Sequence, residues 1–452
     1  MRLFPLRVHH VIVACCYLAC CVTFLSNMAQ GAPPSQQQAS SRTWSNYART
    51  LEPSRAIVPR SLHRNATFRN QQTSWLDTLD SESVLVDSDG AHITTGTSSC
   101  QSCLTGCCSS HQRSCQTWVH LDYLLGWRKG QHVPALVTTS VDGTAIADAG
   151  QLGLASTSIL LGNEQLIDGP RPGGRIDFGR WLANGETAIG GRFYALSDSS
   201  SSHVFDGTTH SILARPFFNV VNDEQDALVV QFPGSDTGSI QVTSGASLSG
   251  GDIYLRQSWC QIGSACVDLI TGYQFTQIDE QLHIQSTSTN QSVQSVEVLD
   301  QFDTRNVFHG GQLGLISETE GTCWSLTLLA KVGLGSSQQT VRVDGSTVIT
   351  DISGGSNTMS GGLLTRDSNI GTHTQDEFTV VPELNVRYIQ HITECVDISL
   401  GYTYIYWNKV VQPGDQIDLN IDTRAGVSQP AMNMVSDDYW MQSLDFGITW
   451  WF

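Results

Sequence analysis

Three groups of side chains in this 452-residue chain have the types and spacing to do chemistry. The first is a run of thiols, Cys100, Cys103, Cys107, Cys108 and Cys115, with His111 among them. Thiolate and imidazole ligands suit zinc, but this spacing matches no strong zinc pattern, and in an exported chain disulfides are the default. The second comprises His203, His210 and His373, each with Ser or Asp nearby, as a hydrolytic site needs. In polar loops such histidines are ordinarily solvated. The third group is the largest. Asp122, Asp177, Asp252, Asp268, Glu383, Asp397 and Asp445 interleave with Arg175, Arg192, Arg256, Lys331 and Arg387 at alternate positions of otherwise apolar segments. Seven acids and five bases turned toward one interior would form either a paired, space-filling network or a charge-lined conduit.

Two weaker signals resemble cation loops. Asp87-Ser88-Asp89-Gly90 starts like a calcium loop, but no acid follows it in the next eight residues, so a polar turn is the better reading. Asp415 and Asp418 fit a loop-ordering turn better than a cation site. These residues assign no catalytic group, no metal and no cofactor, and the expectation is a chain that is not an enzyme.

The elements that must position the charged set are strands. Tyr439 to Phe452 places Trp440, Leu444, Phe446, Ile448, Trp450 and Phe452 on one parity and Ser443, Asp445, Gly447 and Thr449 on the other. That is a strand with one oily and one wet face. Similar alternation runs over Trp324–Leu334, Phe378–Tyr388 and Val396–Trp407, and more weakly over 118–127, 174–182, 187–196, 251–260, 266–276 and 306–316. Pro382 cannot donate to a ladder and suggests a bulge. The expected fold is all-β, a single antiparallel transmembrane β-barrel of about ten strands, within a range of about eight to fourteen.

Connections support this architecture. The stretches 183–186, 261–265, 317–322 and 389–394 are short, while 128–173, 197–250, 277–305, 335–376 and 408–438 are long, and the two classes alternate. In outer-membrane barrels short turns face the periplasm and long loops face outward. Within the long connections, Leu282–Gln285 and Thr340–Val343 alternate again and would extend the sheet beyond the membrane. Nine of the eleven tryptophans fall at strand ends: Trp118, Trp181, Trp259, Trp324, Trp450 and Trp451 at one end, and Trp127, Trp407 and Trp440 at the other. Such placement is expected of two aromatic girdles.

The N-terminal residues point to export. Arg2 and Arg7 precede an apolar run from Val11 to Leu25 and then Ala29-Gln30-Gly31-Ala32, so residues 1–32 read as a cleaved signal peptide. Ile12-Val13-Ala14-Cys15 is only a weak lipoprotein signal. Residues 33–117 read as a disordered, cysteine-bearing periplasmic segment ahead of a barrel over 118–452. Of thirteen cysteines, Cys15, Cys16, Cys20 and Cys21 leave with the signal. The remaining nine, the cluster above plus Cys260, Cys266, Cys323 and Cys395, all face the periplasmic side and are disulfide candidates. They could pin the N-terminal segment to the barrel base or to another envelope protein. The net charge of −18 argues against a nucleic-acid partner.

Several segments taken together carry a family resemblance. They are Leu121-Asp122-Tyr123-Leu124-Leu125, His132-Val133-Pro134-Ala135-Leu136-Val137-Thr138-Thr139-Ser140, Gly173-Gly174-Arg175-Ile176 with Gly179 and Trp181-Leu182, and Asn306 with Phe308 and Gly310-Gly311-Gln312-Leu313-Gly314-Leu315. To these are added Trp324-Ser325-Leu326, Leu329-Ala330-Lys331-Val332, Val381-Pro382-Glu383-Leu384-Asn385, Gly401-Tyr402, Tyr406-Trp407, Val411, Pro413-Gly414-Asp415-Gln416-Ile417-Asp418 and the terminal strand. As a set they resemble the planctomycete-type β-barrel porin family of outer-membrane proteins, formerly a domain of unknown function. Position 309 departs from the pattern, being His where an aromatic is expected. The resemblance implies the bacterial outer membrane as location, with its lipid and the barrel-assembly machinery as partners, and it supplies no catalytic residues. The first functional expectation, drawn from the inward charged set, is passive passage of small solutes through a narrow, charge-lined lumen. The rival is a plugged structural or surface-binding barrel whose outer loops do the work. Barrels near eight strands are filled by side chains and open channels appear near sixteen, so ten strands lie toward the filled end.

Overall fold

The computed structural model describes residues 116–290, 295–422, 424 and 429–452. The expected signal peptide, the segment that follows it, Asp87–Gly90 and the cluster Cys100–Cys115 lie outside the described residues. The strands are β1 (Thr117–Arg128), β2 (Gln131–Val133), β3 (Val137–Ser140), β4 (Thr157–Leu161), β5 (Glu164–Leu166) and β6 (Arg171–Trp181). They continue with β7 (Thr187–Asp206), β8 (Leu213–Asn219), β9 (Glu224–Gln231), β10 (Asp236–Ile262), β11 (Ala265–Asn290) and β12 (Ser295–Glu320). The last are β13 (Trp324–Thr350), β14 (Ser356–Ser360), β15 (Gly371–His391), β16 (Val396–Val411), β17 (Asn420–Ile421) and β18 (Ser436–Trp451).

Ten of them hydrogen-bond in one closed antiparallel ring, in the order β12, β11, β10, β7, β6, β1, β18, β16, β15, β13, with β13 returning to β12. The ten segments read from alternation are these ten strands. The terminal strand closes the ring against the first, pairing Trp118 with Trp451 and Asp122 with Gly447. Closure leaves no sheet edge in this part of the molecule. The short turns at 182–186, 263–264, 321–323 and 392–395 all fall at one end of the ring, together with Thr117 and Trp451. Cys260, Cys266, Cys323 and Cys395 stand at that end too. The register sets Cys266 opposite Gln261 and Cys260 opposite Val267, so Cys260 and Cys266 are offset by one position and stand on opposite faces of the pair.

Period-2 alternation decides which face each side chain takes. The outer face carries a belt of exposed apolar groups, among them Leu121, Tyr123, Phe178, Phe193, Ile253, Tyr273, Phe378, Leu400 and Phe446. On β12 the departing residue His309 joins this face, its ring stacked near Tyr273 and Phe275 and its Nδ1 2.5 Å from the Tyr273 hydroxyl.

One expectation needs correction. The stretches 277–305 and 335–376 read as loops are mostly strand, because β10 to β13 run for 26 or 27 residues each. At about 3.3 Å per residue that is roughly 85 Å of chain, far more than the roughly ten residues a membrane strand needs. Beyond the belt the outer face turns polar while the inner face stays apolar. Ile240, Val242, Leu282, Ile284, Phe302, Val341 and Val343 there form one core with Val137, Leu161, Leu213, Phe217, Val230 and Ile421. The latter group belongs largely to a five-stranded sheet, β17, β8, β3 and β4 in order with β9 on β8. The long strands therefore stay extended because a second layer covers their inner face. A buried ion pair pins the layers: Arg215 donates to Asp300 at 2.5 Å. Asp300 also accepts the backbone N–H groups of Leu364 and Thr365, both at 2.9 Å.

Candidate functional site

The interior of the ring is where the charged set converges. Asp122 accepts from Arg175 at 2.7 Å, from His120 at 2.8 Å and from Arg387 at 3.3 Å. Arg175 also donates to Asp445 at 2.8 Å, and Asp445 accepts from Thr403 and Ser443, each at 2.5 Å. A second cluster centres on Arg192. Its guanidinium bridges Asp252, at 2.5 and 3.0 Å, and Glu383, at 2.5 and 2.8 Å. Lys331 joins the same two carboxylates at 2.8 and 3.2 Å. A third cluster pairs Arg256 with Asp268 at 2.6 Å and Glu318 at 3.3 Å, with the guanidinium 5.1 Å from the Trp181 ring centre. Asp177 and Asp397 are held instead by indole N–H groups, from Trp118 and Trp451, both at 2.7 Å. Buried charges survive when each is paired and its remaining hydrogen-bonding atoms are met.

The tryptophans divide by face. Trp127, Trp259, Trp324, Trp440 and Trp450 stand on the outer face. Trp118, Trp181 and Trp407 are 7 %, 5 % and 2 % exposed and point inward, so they are not part of an outer girdle. Trp451 packs with Trp118 and Trp181 at the mouth of the short-turn end. Parity, not height along the strand, sets their face: Trp118 shares a face with Asp122, and Trp181 shares one with Asp177. Gly179 makes room for the inward indole, since a β-carbon there would lie 2.2 Å from the Trp118 ring.

Above the charged layer the interior becomes apolar. Leu124, Leu196, Leu248, Ile278, Phe308, Val381, Ile405, Trp407 and Tyr439 form one buried cluster. They come from strands all around the ring, so the layer crosses it. Trp407 meets Tyr439 edge-on at 5.4 Å. Above this layer sits a polar tier that alternation alone did not single out. Arg128 pairs with Glu280, which also accepts from Gln412 at 3.2 Å. Asn306 clamps the Val411 backbone through both its amide atoms, at 2.9 Å each. Gln416 likewise holds Val435, at 2.7 and 3.1 Å. Asn385 faces the interior as the alternation of its strand predicts, and His120, Gln312 and Tyr254 join it there, each sharing parity with a charged residue on its own strand.

A family model described as Putative beta barrel porin-7 matches residues 118–452. The chain belongs to that family. Among solved structures, the outer-membrane protease OmpT of Escherichia coli aligns at 8 % identity and a TM-score of 0.38, over 75 % of this chain and 98 % of that one. The transport unit of the autotransporter AIDA-I from Escherichia coli aligns at 8 % identity and 0.23, over 75 % and 92 %. A Pseudomonas aeruginosa FadL homologue aligns at 7 % and 0.20, over 77 % and 93 %. No curated protein matches the chain.

In this β-barrel porin family member, the motif pieces distant in sequence meet at the long-loop end. Gly414 packs on the His132 backbone so closely that a β-carbon would lie 1.8 Å from its carbonyl oxygen. Beside it, burial and then the Asp437 charge push Asp415 up to about 6, and its Oδ2 has no hydrogen-bond partner among the described residues. Asp418 orders the loop by accepting from the backbone and side-chain amides of Asn420, at 2.9 and 2.7 Å, and from the Ala431 backbone at 2.7 Å. Of the histidines considered for hydrolysis, His210 lies beside Phe205 and His373 bonds the Asn369 carbonyl oxygen. Among the described residues no group of three or more His, Cys, Asp or Glu could hold a metal.

Proposed function

We propose that this protein is an outer-membrane barrel with a closed lumen, whose role is structural or surface-binding and is carried by the two-layered region at its long-loop end. The observation that carries this reading is the apolar layer through Leu124, Ile278, Phe308 and Trp407, each at most 2 % exposed, which crosses the ring above the charge network. The outer apolar belt, the ten-stranded closure and the family support the membrane location. In this reading the short-turn end faces the periplasm. The cysteines gathered there tie the N-terminal segment to the barrel base or to another envelope protein. Lipid and the assembly machinery for barrels are its other partners.

Planar-bilayer conductance and liposome swelling with the full chain test the closed lumen. The expected result is no stable channel and no swelling by small sugars or ions. Conductance on the scale of open porins would overturn it. Passage of small solutes through a narrow, charge-lined lumen is the second reading. It is favoured by a cavity of about 150 Å3 within the charged half of the ring, and small, saturable ion flux would select it.

A further inference from the structure

We propose that the short-turn half of the lumen is a binding pocket for a small organic monoanion, a carboxylate on an apolar body of about the size of benzene. The cavity there measures about 150 Å3, and a cavity of about that volume in a protein core holds benzene. The apolar layer seals it on the long-loop side, while Trp118, Trp181 and Trp451 stand around its mouth.

Its lining has two characters. Ile270, Ile316, Leu329 and Ile389 come from β11, β12, β13 and β15, which are consecutive in the ring, and the register places Ile316 directly opposite Leu329. This is an apolar stripe on one arc of the wall. The remaining lining carries five cations, Arg175, Arg192, Arg256, Lys331 and Arg387, against three carboxylates, Asp177, Asp252 and Glu318, while the further partners Asp122, Asp445 and Glu383 stand outside the cavity lining.

Two donors in this lining are not used by the protein. Gln312 is 4 % exposed, and its Oε1 accepts from Lys331 at 2.7 Å while its Nε2 has no partner among the described residues. Arg387 reaches Asp122 only at 3.3 Å, a carboxylate already serving Arg175 and His120, and the Arg387 Nε is unpartnered. A buried donor without a partner is costly, and a charge-assisted bond to a carboxylate would satisfy the guanidinium. Arg387 thus supplies the anion anchor, Gln312 a second polar contact and the isoleucine–leucine stripe the surface for the apolar body.

The site does not depend on the outer region, so its failure would leave the closed-lumen reading intact. The test is titration calorimetry on the full chain in detergent micelles, with benzoate as probe and benzyl alcohol and acetate as comparators. Saturable benzoate binding is expected, weaker by about tenfold or more for each comparator, the scale of losing one charge-assisted contact or the buried body. Arg387→Met should weaken benzoate by about tenfold or more, and Arg387→Lys should recover part of that. Leu329→Trp, which fills the cavity from its apolar side, should abolish binding, with retention of the fold checked by thermal unfolding. Absence of saturable benzoate binding would overturn the proposal. So would equal binding of benzyl alcohol, or unchanged affinity in a folded Leu329→Trp protein.

Discussion

Arg192→Met is the most direct probe of whether the lumen is dry. Arg192 makes four hydrogen bonds, two to Asp252 and two to Glu383, at 2.5–3.0 Å. Its side chain is 8 % exposed, and those of its partners are 2 % and 0 %. Methionine would leave two buried carboxylates sharing Lys331 alone. Removing one partner of a buried pair costs about 3–5 kcal/mol, because the charge left behind stays desolvated. With a urea m-value of about 3 kcal/mol/M, the unfolding midpoint should fall by about 1–1.7 M. The assay is urea unfolding in micelles followed by tryptophan fluorescence. Adding Glu383→Gln to Arg192→Met should restore part of the loss, since it removes one of the stranded charges. An Arg192→Met protein within about 0.5 kcal/mol of wild type would refute the reasoning, because only a hydrated, screened interior makes such a pair so cheap to break.

Replacing Phe308 and Trp407 together by alanine should breach the apolar layer, producing ion flux in bilayers where the parent shows none, at a cost of about 3–5 kcal/mol for each site. Asp300→Ala strands Arg215 and three consecutive backbone N–H groups from Leu363 to Thr365. Limited proteolysis should then cut within 351–370 while the ring stays folded, and an unchanged digestion pattern would count against the pinning role. The Asp415 loop should be most stable below its ordinary value of 3.8 and lose stability as pH rises toward about 6, because the raised value means that folding favours the protonated acid. Asp415→Asn should abolish this dependence, read as hydrogen exchange of residues 413–417 corrected for its intrinsic pH trend. Persistence of the dependence in the variant would assign it to another group.

Alternation is a local property, and it let the sequence alone place the ten ring strands and the inward side of Asp122, Arg175, Glu383 and Asp445. The same rule also puts Trp118 and Trp451 inside, against the outer girdle that their height at the strand ends suggests. His120 was likewise visible, two residues before Asp122 on the same face. What the sequence could not decide is who meets whom. Arg192 and Glu383 lie 191 residues apart, and Arg128 and Glu280 lie 152 apart. Such pairings depend on strand order, stagger and closure, which bring opposite walls within side-chain reach. The two-layered region shows the same limit. Leu282–Gln285 and Thr340–Val343 alternate like any strand, but nothing local says that Phe217 and Leu213 will cover their inner face. Sequence by itself therefore determined the barrel and its charged interior. Tertiary structure alone decided that an apolar layer crosses the lumen, because that layer is assembled from single residues on strands scattered around the ring.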